Sequence, residues 1–447
     1  MHRPQDPPAP AIRRRRHLRN TTITLALGAV LFTVGAVGLS PVGSGTPEAP
    51  ATASPASGQA RGIEVMRERV RRLPKDPVSW ADLGMALVQQ ARTTADPAAY
   101  DRAETALRRS LTLRPDENLH AEIGMGALAA ARHRFQDALT WARKAVTTSP
   151  ATPASYGVLA DALTQLGRYK DAEEAVQKMA DLRPDSSSLA RASYTFELRG
   201  DTGRAEALME RALRAAGTPG ERAFALTHLS SLAQESGDPA TALRQADAGL
   251  AFAPRDPGLL EARAKAHAAR GEFRQAVADH TAAVATAPLP QYLLELGELQ
   301  QSLGHRAEAE GQYAVLRAQE TLGRAGGAPA DTDAILFEAD HGDPVRAVEL
   351  AEAAVRERPF IAVHDAYAWA LHRAGRDEQA LAQADRSLAL GTRSALFLYH
   401  RGAIHQALGD TGAARRDLRR ALAIDPSFHP LHAPAARTAV RRIDDTP

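Results

Sequence analysis

Apolar side chains recur every fourth residue in short segments spread along most of this chain. Ala172, Val176 and Ala180 show the spacing, which places all three on one stripe of an α-helix. An alanine leads each stripe and returns after 33 to 38 residues, at ten positions: Ala103, Ala138, Ala172, Ala205, Ala242, Ala276, Ala309, Ala347, Ala380 and Ala414. Because small side chains let two helices cross closely, the pattern predicts closely packed helices in a unit repeated about every 34 residues.

Glycine and proline mark where these helices end. A glycine stands five residues before eight of the alanines: Gly167, Gly200, Gly237, Gly271, Gly304, Gly342, Gly375 and Gly409. Glycine accepts the left-handed backbone that ends a helix, so each one predicts a tight turn between two helices. A proline, which cannot continue a helix, stands twelve residues after seven of the alanines: Pro115, Pro150, Pro184, Pro254, Pro288, Pro359 and Pro426. The predicted unit is therefore a pair of helices.

With these marks in place, the sequence resembles the tetratricopeptide repeat. The first unit carries the resemblance best, with Trp80, Leu83, Gly84 and Leu87 followed by Ala103, Leu107 and Pro115. The resemblance covers about residues 76–426 and implies an all-α, right-handed α-solenoid of about ten helix pairs over residues 77–426. We expect residues 61–76 and 427–447 to form helices that cap its two ends, since the end of a solenoid needs a polar outer face.

Two of the segments that depart from the repeat lie in the first and seventh units. The first unit has seven extra residues around 91–100, between its helices, and the seventh unit runs into a glycine-rich stretch at 323–331 in place of a closing proline. Both are predicted to be loops at one edge of the solenoid. They are either contact sites or additional length without a role.

The amino terminus carries a membrane signal. Residues 1–20 hold six arginines against one aspartate, and the uncharged stretch 21–39 is long enough to span a bilayer as a helix. Basic residues stay on the cytoplasmic side, so the repeats should lie outside the cytoplasm. Residues 40–60, rich in Pro, Ala and Ser, are predicted to be a disordered linker. The alternative is a signal peptide cleaved near Ala51-Thr52-Ala53, which would release a secreted protein.

The charge balance and the motifs of the sequence exclude several classes of function. Residues 61–447 hold 49 basic and 51 acidic side chains, and a near-neutral solenoid without a basic stripe argues against a nucleic-acid partner. The chain has no cysteine, and we found no phosphate-binding loop, nucleophile elbow or zinc-protease motif. We therefore expect no enzymatic activity, no cofactor and no metal. The histidines near the carboxyl terminus are expected to pack as ordinary polar residues, and His280 is expected to be a core histidine.

Specificity is expected in a groove. The resemblance implies that the first helix of each pair lines a concave surface that binds extended or helical peptides. In the ninth unit Asp365, Trp369 and His372 share the face opposite the apolar stripe, so Trp369 is either a partner anchor or packs on the next unit. The same register selects the other candidate groove residues: Tyr194, Glu197, Glu261, Lys265, Glu298 and Tyr399.

This set holds more acidic than basic side chains, so a partner with positive charge fits it better. We expect a membrane-anchored scaffold whose extracytoplasmic repeats bind peptide segments of envelope or secretion proteins. The alternative is a released solenoid that binds a solute or a cell-wall polymer. The partner's identity and the oligomeric state stay open.

Overall fold

The computed structural model describes residues 55–94, 97–325 and 330–445, and these residues form 22 α-helices and no strand. The prediction of an all-helical solenoid is confirmed. The helices are α1 (Pro55–Arg72), α2 (Pro77–Thr94), α3 (Pro97–Leu113), α4 (Leu119–Ala131), α5 (Phe135–Thr148), α6 (Pro153–Gln165), α7 (Tyr169–Leu182), α8 (Ser186–Glu197), α9 (Thr202–Ala215), α10 (Pro219–Glu235), α11 (Pro239–Leu250), α12 (Pro257–Ala269), α13 (Phe273–Thr286), α14 (Pro290–Ser302), α15 (Arg306–Ala325), α16 (Thr332–His341), α17 (Pro344–Glu357), α18 (Ile361–Arg373), α19 (Asp377–Leu388), α20 (Ala395–Ala407), α21 (Thr411–Ile424) and α22 (His432–Asp444).

The helices pack as ten successive pairs, from α2 with α3 to α20 with α21, and α1 and α22 lie at the two ends. We call each pair a unit and number the units 1 to 10. All ten repeat alanines are at most 4% exposed, because each lies where the second helix of a unit crosses its neighbours. First helices of most consecutive units contact one another, as α16 and α18 do, whereas consecutive described second helices lack such close packing. The first helices therefore form the inner, concave surface.

The glycines and prolines that were predicted to mark helix ends lie at the observed ends of helices. Seven of the eight turn glycines have positive φ, and only Gly342, at φ −134°, does not. In unit 2 the same position is held by His133, which adopts φ 58°. The repeat prolines follow the second helices closely: α7 ends at Leu182 and α17 at Glu357, each two residues before its proline.

Three boundaries differ from the predictions. Helix α1 begins at Pro55, inside the segment predicted to be a disordered linker. In unit 1 the extra residues predicted to form a loop instead lengthen the helices, since α2 continues to Thr94 and α3 begins at Pro97. Likewise α15 runs on to Ala325, into the predicted glycine-rich loop. Each added turn supplies backbone hydrogen bonds that an open loop lacks.

The predicted basic tail, membrane segment 21–39 and most of the predicted linker lie outside the described residues. Among the helices that are described, none combines the length and apolar character needed to cross a bilayer.

The array coils far enough for distant units to meet. We call the turns inside units the turn edge, and the loops that link units the junction edge. The backbone N–H of Ile361, in the junction after unit 8, donates to the Tyr169 hydroxyl at the unit 3 turn, at 2.9 Å and 192 residues away. Thr392, after unit 9, donates to the Leu198 carbonyl of unit 4, at 2.5 Å and 194 residues away. The turn edge of units 3–5 thus packs on the junction edge of units 8–10.

The glycine turns make this contact possible. A Cβ added to Gly200 would lie 2.4 Å from the carbonyl oxygen of Gly391, and one on Gly237 would lie 2.7 Å from that of Ile424. Real Cβ atoms do not approach a backbone oxygen so closely. Glycine at these positions therefore provides both the positive φ and the space that the neighbouring turn of the superhelix occupies.

Candidate functional site: the concave surface

The concave surface of units 4–7 carries a band of charged side chains. Helix α12 presents Glu261 and Lys265, and α14 presents Glu295. The Lys265 ammonium lies between the carboxylates of these two glutamates. It contacts Glu261 and is 2.7 Å from Glu295 Oε1. Burial alone would lower the pKa of Lys265, but these carboxylates outweigh it and raise the pKa above its ordinary value. The Lys265 side chain stays 43% exposed, so it can still meet a partner.

Acidic groups continue along this surface into units 4 and 5. Glu197 ends α8 and is half-buried, whereas Glu235 ends α10 and is exposed, with the surrounding helices excluding part of the water from both carboxyls. Loss of hydration raises the pKa of Glu197 well above its ordinary value and that of Glu235 to about 7, with a further increase in Glu197 from its proximity to Glu235. Burial also raises the pKa of Glu261. Because Glu235 remains exposed to water, this part of the surface is both open and acidic.

The concave surface of units 7–10 is closed by the chain itself. Residues 426–432, which we call the closing segment, link α21 to α22. His429 Nε2 lies 3.0 Å from Glu298 Oε2, and His341 Nε2 lies 3.1 Å from the other oxygen of the same carboxylate. His432 Nε2 lies 3.4 Å from Asp340 Oδ2. Two acid–histidine pairs thus hold the closing segment against α14 and α16.

The charges of this contact reinforce one another. Burial alone would raise the pKa of Glu298, but the two histidines hold it well below its usual range. Burial would lower the pKa of His429, but Glu298 outweighs it and raises the pKa. In contrast, burial lowers the pKa of His432 to about 4. Contact between His429 and Glu298 therefore favours the charged form of both groups, whereas His432 packs as a neutral ring near neutral pH.

Trp369 lies beneath the closing segment and is 3% exposed. Its indole N–H donates to Asp340 Oδ2 at 3.0 Å, and its ring stacks on His400 with centroids 4.3 Å apart. The ring also meets His432 edge-on, at 5.3 Å. The tryptophan therefore packs against the next unit and the closing segment. Binding of a partner at Trp369 stays a prediction, and it would require the closing segment to leave.

The structure brings some predicted groove residues together and separates others. Tyr399 and His372 both lie beside Trp369, at ring distances of 5.7 and 5.0 Å. Asp365, 1% exposed, instead binds His400 Nδ1 at 2.9 Å. Tyr194 is 8% exposed, and burial raises its pKa well above the ordinary value. Of the predicted set, Glu197 and Lys265 lie on the accessible part of the acidic band, and Glu261, 7% exposed, is buried beside Lys265.

Sequence reasoning missed several residues of this surface. Glu295 precedes Glu298 by one helical turn and so shares its side of α14, which was a usable signal. Glu235 was not predicted as a groove residue because it lies at the end of α10, which has 17 residues and is longer than a typical first helix of the array. His429 was assigned to polar packing at the carboxyl-terminal cap, because nothing in its local sequence indicates a partner 131 residues earlier, in unit 7.

In the part of the chain that the structure describes, no group of three or more histidine, aspartate or glutamate side chains is arranged to hold a metal ion. His280 is 3% exposed, and burial lowers its pKa to about 4, as expected of a core histidine.

Comparison with known proteins identifies the repeat. Two family models described as tetratricopeptide repeat match residues 123–193 and 395–428. The chain therefore contains tetratricopeptide repeats. No match was found among curated protein sequences.

Solved structures with a similar fold include two that are described as tetratricopeptide repeat proteins. A tetratricopeptide repeat protein from Parabacteroides merdae is 19% identical, with 58% of this chain and 99% of that chain covered and a TM-score of 0.34. A thermophilic repeat protein from Thermus thermophilus is 22% identical, with coverages of 42% and 98% and a TM-score of 0.37. Human IFIT1, solved as a dimer with PPP-AAAA, is 16% identical, with coverages of 81% and 86% and a TM-score of 0.46.

Proposed function

We propose that this array of tetratricopeptide repeats is a protein-interaction scaffold that binds a positively charged segment of a partner protein on the concave surface of units 4–7. Tetratricopeptide repeat proteins generally act as scaffolds of this kind. The observation that carries the proposal is an acidic band on this surface, made by the accessible Glu197, Glu235 and Glu295, in which Lys265 pairs with Glu295 and with the buried Glu261.

Carboxyls with a raised pKa, such as that of Glu235, favour a cationic partner because they can lose a proton when a cation binds beside them. A lysine or arginine brought beside Glu235 would favour the ionised carboxyl and so lower its pKa from about 7. Binding would then release protons near neutral pH, and the bound segment would exclude further water from the new ion pair and so strengthen it. An acidic partner would be repelled by these carboxylates and would bind with lower affinity.

Peptide binding tests this proposal. The full-length protein in detergent is titrated with a fluorescent arginine- and lysine-rich peptide and with an acidic peptide of equal length, followed by anisotropy. We expect binding of the basic peptide alone. Replacing both Glu235 and Glu295 by Gln should weaken it about tenfold or more, equivalent to about 1.4 kcal/mol.

The matched control replaces two exposed glutamates of second helices, Glu206→Gln and Glu349→Gln, which removes the same charge from the outer surface. Equal weakening in both double variants would mean that only net charge matters. That result, or preference for the acidic peptide, would contradict the proposed site.

We also propose that the scaffold is anchored in the cell membrane with its repeats outside the cytoplasm. The support is the arginine run before the uncharged stretch 21–39. Protease added to intact spheroplasts should digest the repeats while an amino-terminal tag stays protected. Repeats that resist the protease until the cells are lysed would overturn this topology, and a mature amino terminus near residue 54 would favour the secreted alternative.

A further inference from the structure

The contact between distant units leaves one turn edge uncovered. At Gly271, Gly304, Gly375 and Gly409, in units 6, 7, 9 and 10, no atom lies within 4 Å of an added Cβ. Three large apolar side chains are exposed at turns of these later units: Phe273 at 43%, Val345 at 64% and Leu408 at 38%. The turn edge of units 6–10 is thus free and partly apolar.

The opposite edge of the early units is free as well. Pro115, Pro150 and Pro184, in the junctions after units 1, 2 and 3, are all exposed. The residue just before the proline distinguishes the two cases, because Arg114 and Arg183 are exposed whereas Arg358, in the junction after unit 8, is 5% exposed. The same kind of junction edge binds a turn edge in units 8–10, but within the described residues no turn edge lies against the junction edge of the early units.

Aromatic residues at one equivalent position of three turns show how a covering junction loop changes the exposure of a side chain. Phe135, Tyr169 and Phe273 each stand two residues after the positive-φ residue of their turn. Phe135 is 2% exposed and lies beneath the Arg358 guanidinium, 5.9 Å from its ring centre. Tyr169 accepts a hydrogen bond from Ile361. Phe273, with no later junction to cover it, is 43% exposed.

We propose that this chain associates head to tail with a second copy of itself, the turn edge of units 6–10 of one copy packing on the junction edge of units 1–5 of the next. The occupant is inferred from continuity, because the same two edges already bind each other within one chain. Every copy then keeps one free edge of each kind. Such an interface is heterologous, and it either closes into a ring or extends as a filament that continues the superhelix.

Single-cysteine cross-linking tests the proposal, since the chain contains no cysteine of its own. Val345→Cys labels the free turn edge. Pro115→Cys, Pro150→Cys and Pro184→Cys, in three separate proteins, label successive junctions, so a register shifted by one unit is still detected. Each full-length variant is checked by circular dichroism and treated with a short bis-maleimide, alone and mixed with the turn-edge variant.

We expect a product of twice the chain mass in at least one mixture and in none of the single variants. A chain carrying both Asp201→Cys and Arg393→Cys, beside the contact of Gly200 with Arg393, should cross-link internally and verifies the reagent. No mixed product while this control reacts would overturn the proposal. Cross-linking of Val345→Cys to itself would also overturn it, because it would indicate a twofold interface.

Discussion

Units 3–5 and units 8–10 are built from the same helix pair, yet their surfaces are used in opposite ways. In units 3–5 the turn edge is covered by a later part of the chain, and acidic side chains on the concave surface of units 4 and 5 stay open. In units 8–10 the turn edge is largely free, and the concave surface is closed by residues 426–432. Each region therefore exposes the surface that the other buries.

This contrast shows that the role of a repeat position depends on where the unit lies in the superhelix. Phe135 and Phe273 occupy equivalent positions, but only the first has a junction loop above it. Similarly, Lys265 and Trp369 occupy the same register of a first helix. Lys265 is 43% exposed and Trp369 is 3% exposed, since the closing segment reaches only the second.

The largest expected effect distinguishes the two turn edges. Phe135→Ala should lower the stability of its unit by about 3–5 kcal/mol, because it leaves a cavity beneath the covering junction. Phe273→Ala should cost about 1 kcal/mol or less, since much of its ring already meets water. Hydrogen exchange of amides in α5 and α13 measures both local effects in one array.

Equal losses of protection for the two phenylalanine variants would contradict the contact between the turns of the superhelix. Protection should also fall in the covering junction near Arg358 when Phe135 is replaced. A change confined to unit 2 would mean that the contact contributes little to stability.

A smaller, pH-dependent effect tests the open concave surface. Folding raises the pKa of Glu235 from 4.5 to about 7, so the folded chain holds a proton that the unfolded chain releases between these values. Stability therefore falls as the pH rises through this window, and the loss is complete above it. Glu235→Gln should raise the melting temperature at pH 8 and leave it nearly unchanged at pH 4.5.

His429 contributes a slope of the same sign, since its raised pKa stabilises the fold at low pH and this contribution is lost as the pH rises through that value. Comparing the variant with the wild type at each pH isolates Glu235. The control is Glu206→Gln, an exposed glutamate of α9. A difference in melting temperature between wild type and Glu235→Gln that stays the same at all pH values would show that folding does not raise the pKa of Glu235.

Local chemistry made most of the fold predictable. The spacing of Ala172, Val176 and Ala180 predicted a helix, and α7 contains all three. Proline at 184 predicted that this helix ends, which it does two residues earlier. The predicted loop in unit 1 was wrong because composition alone does not show whether extra residues will extend a helix.

The candidate site was less predictable. Helical register correctly placed Glu261 and Lys265 together, because residues four apart share a face. The same register selected Trp369 as a candidate anchor, and the structure buries it under a segment 60 residues later. The pairing of Glu298 with His429 had no local signal at all, since it joins unit 7 to the loop after unit 10.

By itself, the sequence determined which segments of the repeats form helices, where most of those helices end and which helices pair. These depend on backbone preferences and on side chains within one or two turns of each other. The tertiary structure alone decided which edges and concave faces remain open. Small rotations between neighbouring units add up over the array, and their sum brings Tyr169 to Ile361, 192 residues away.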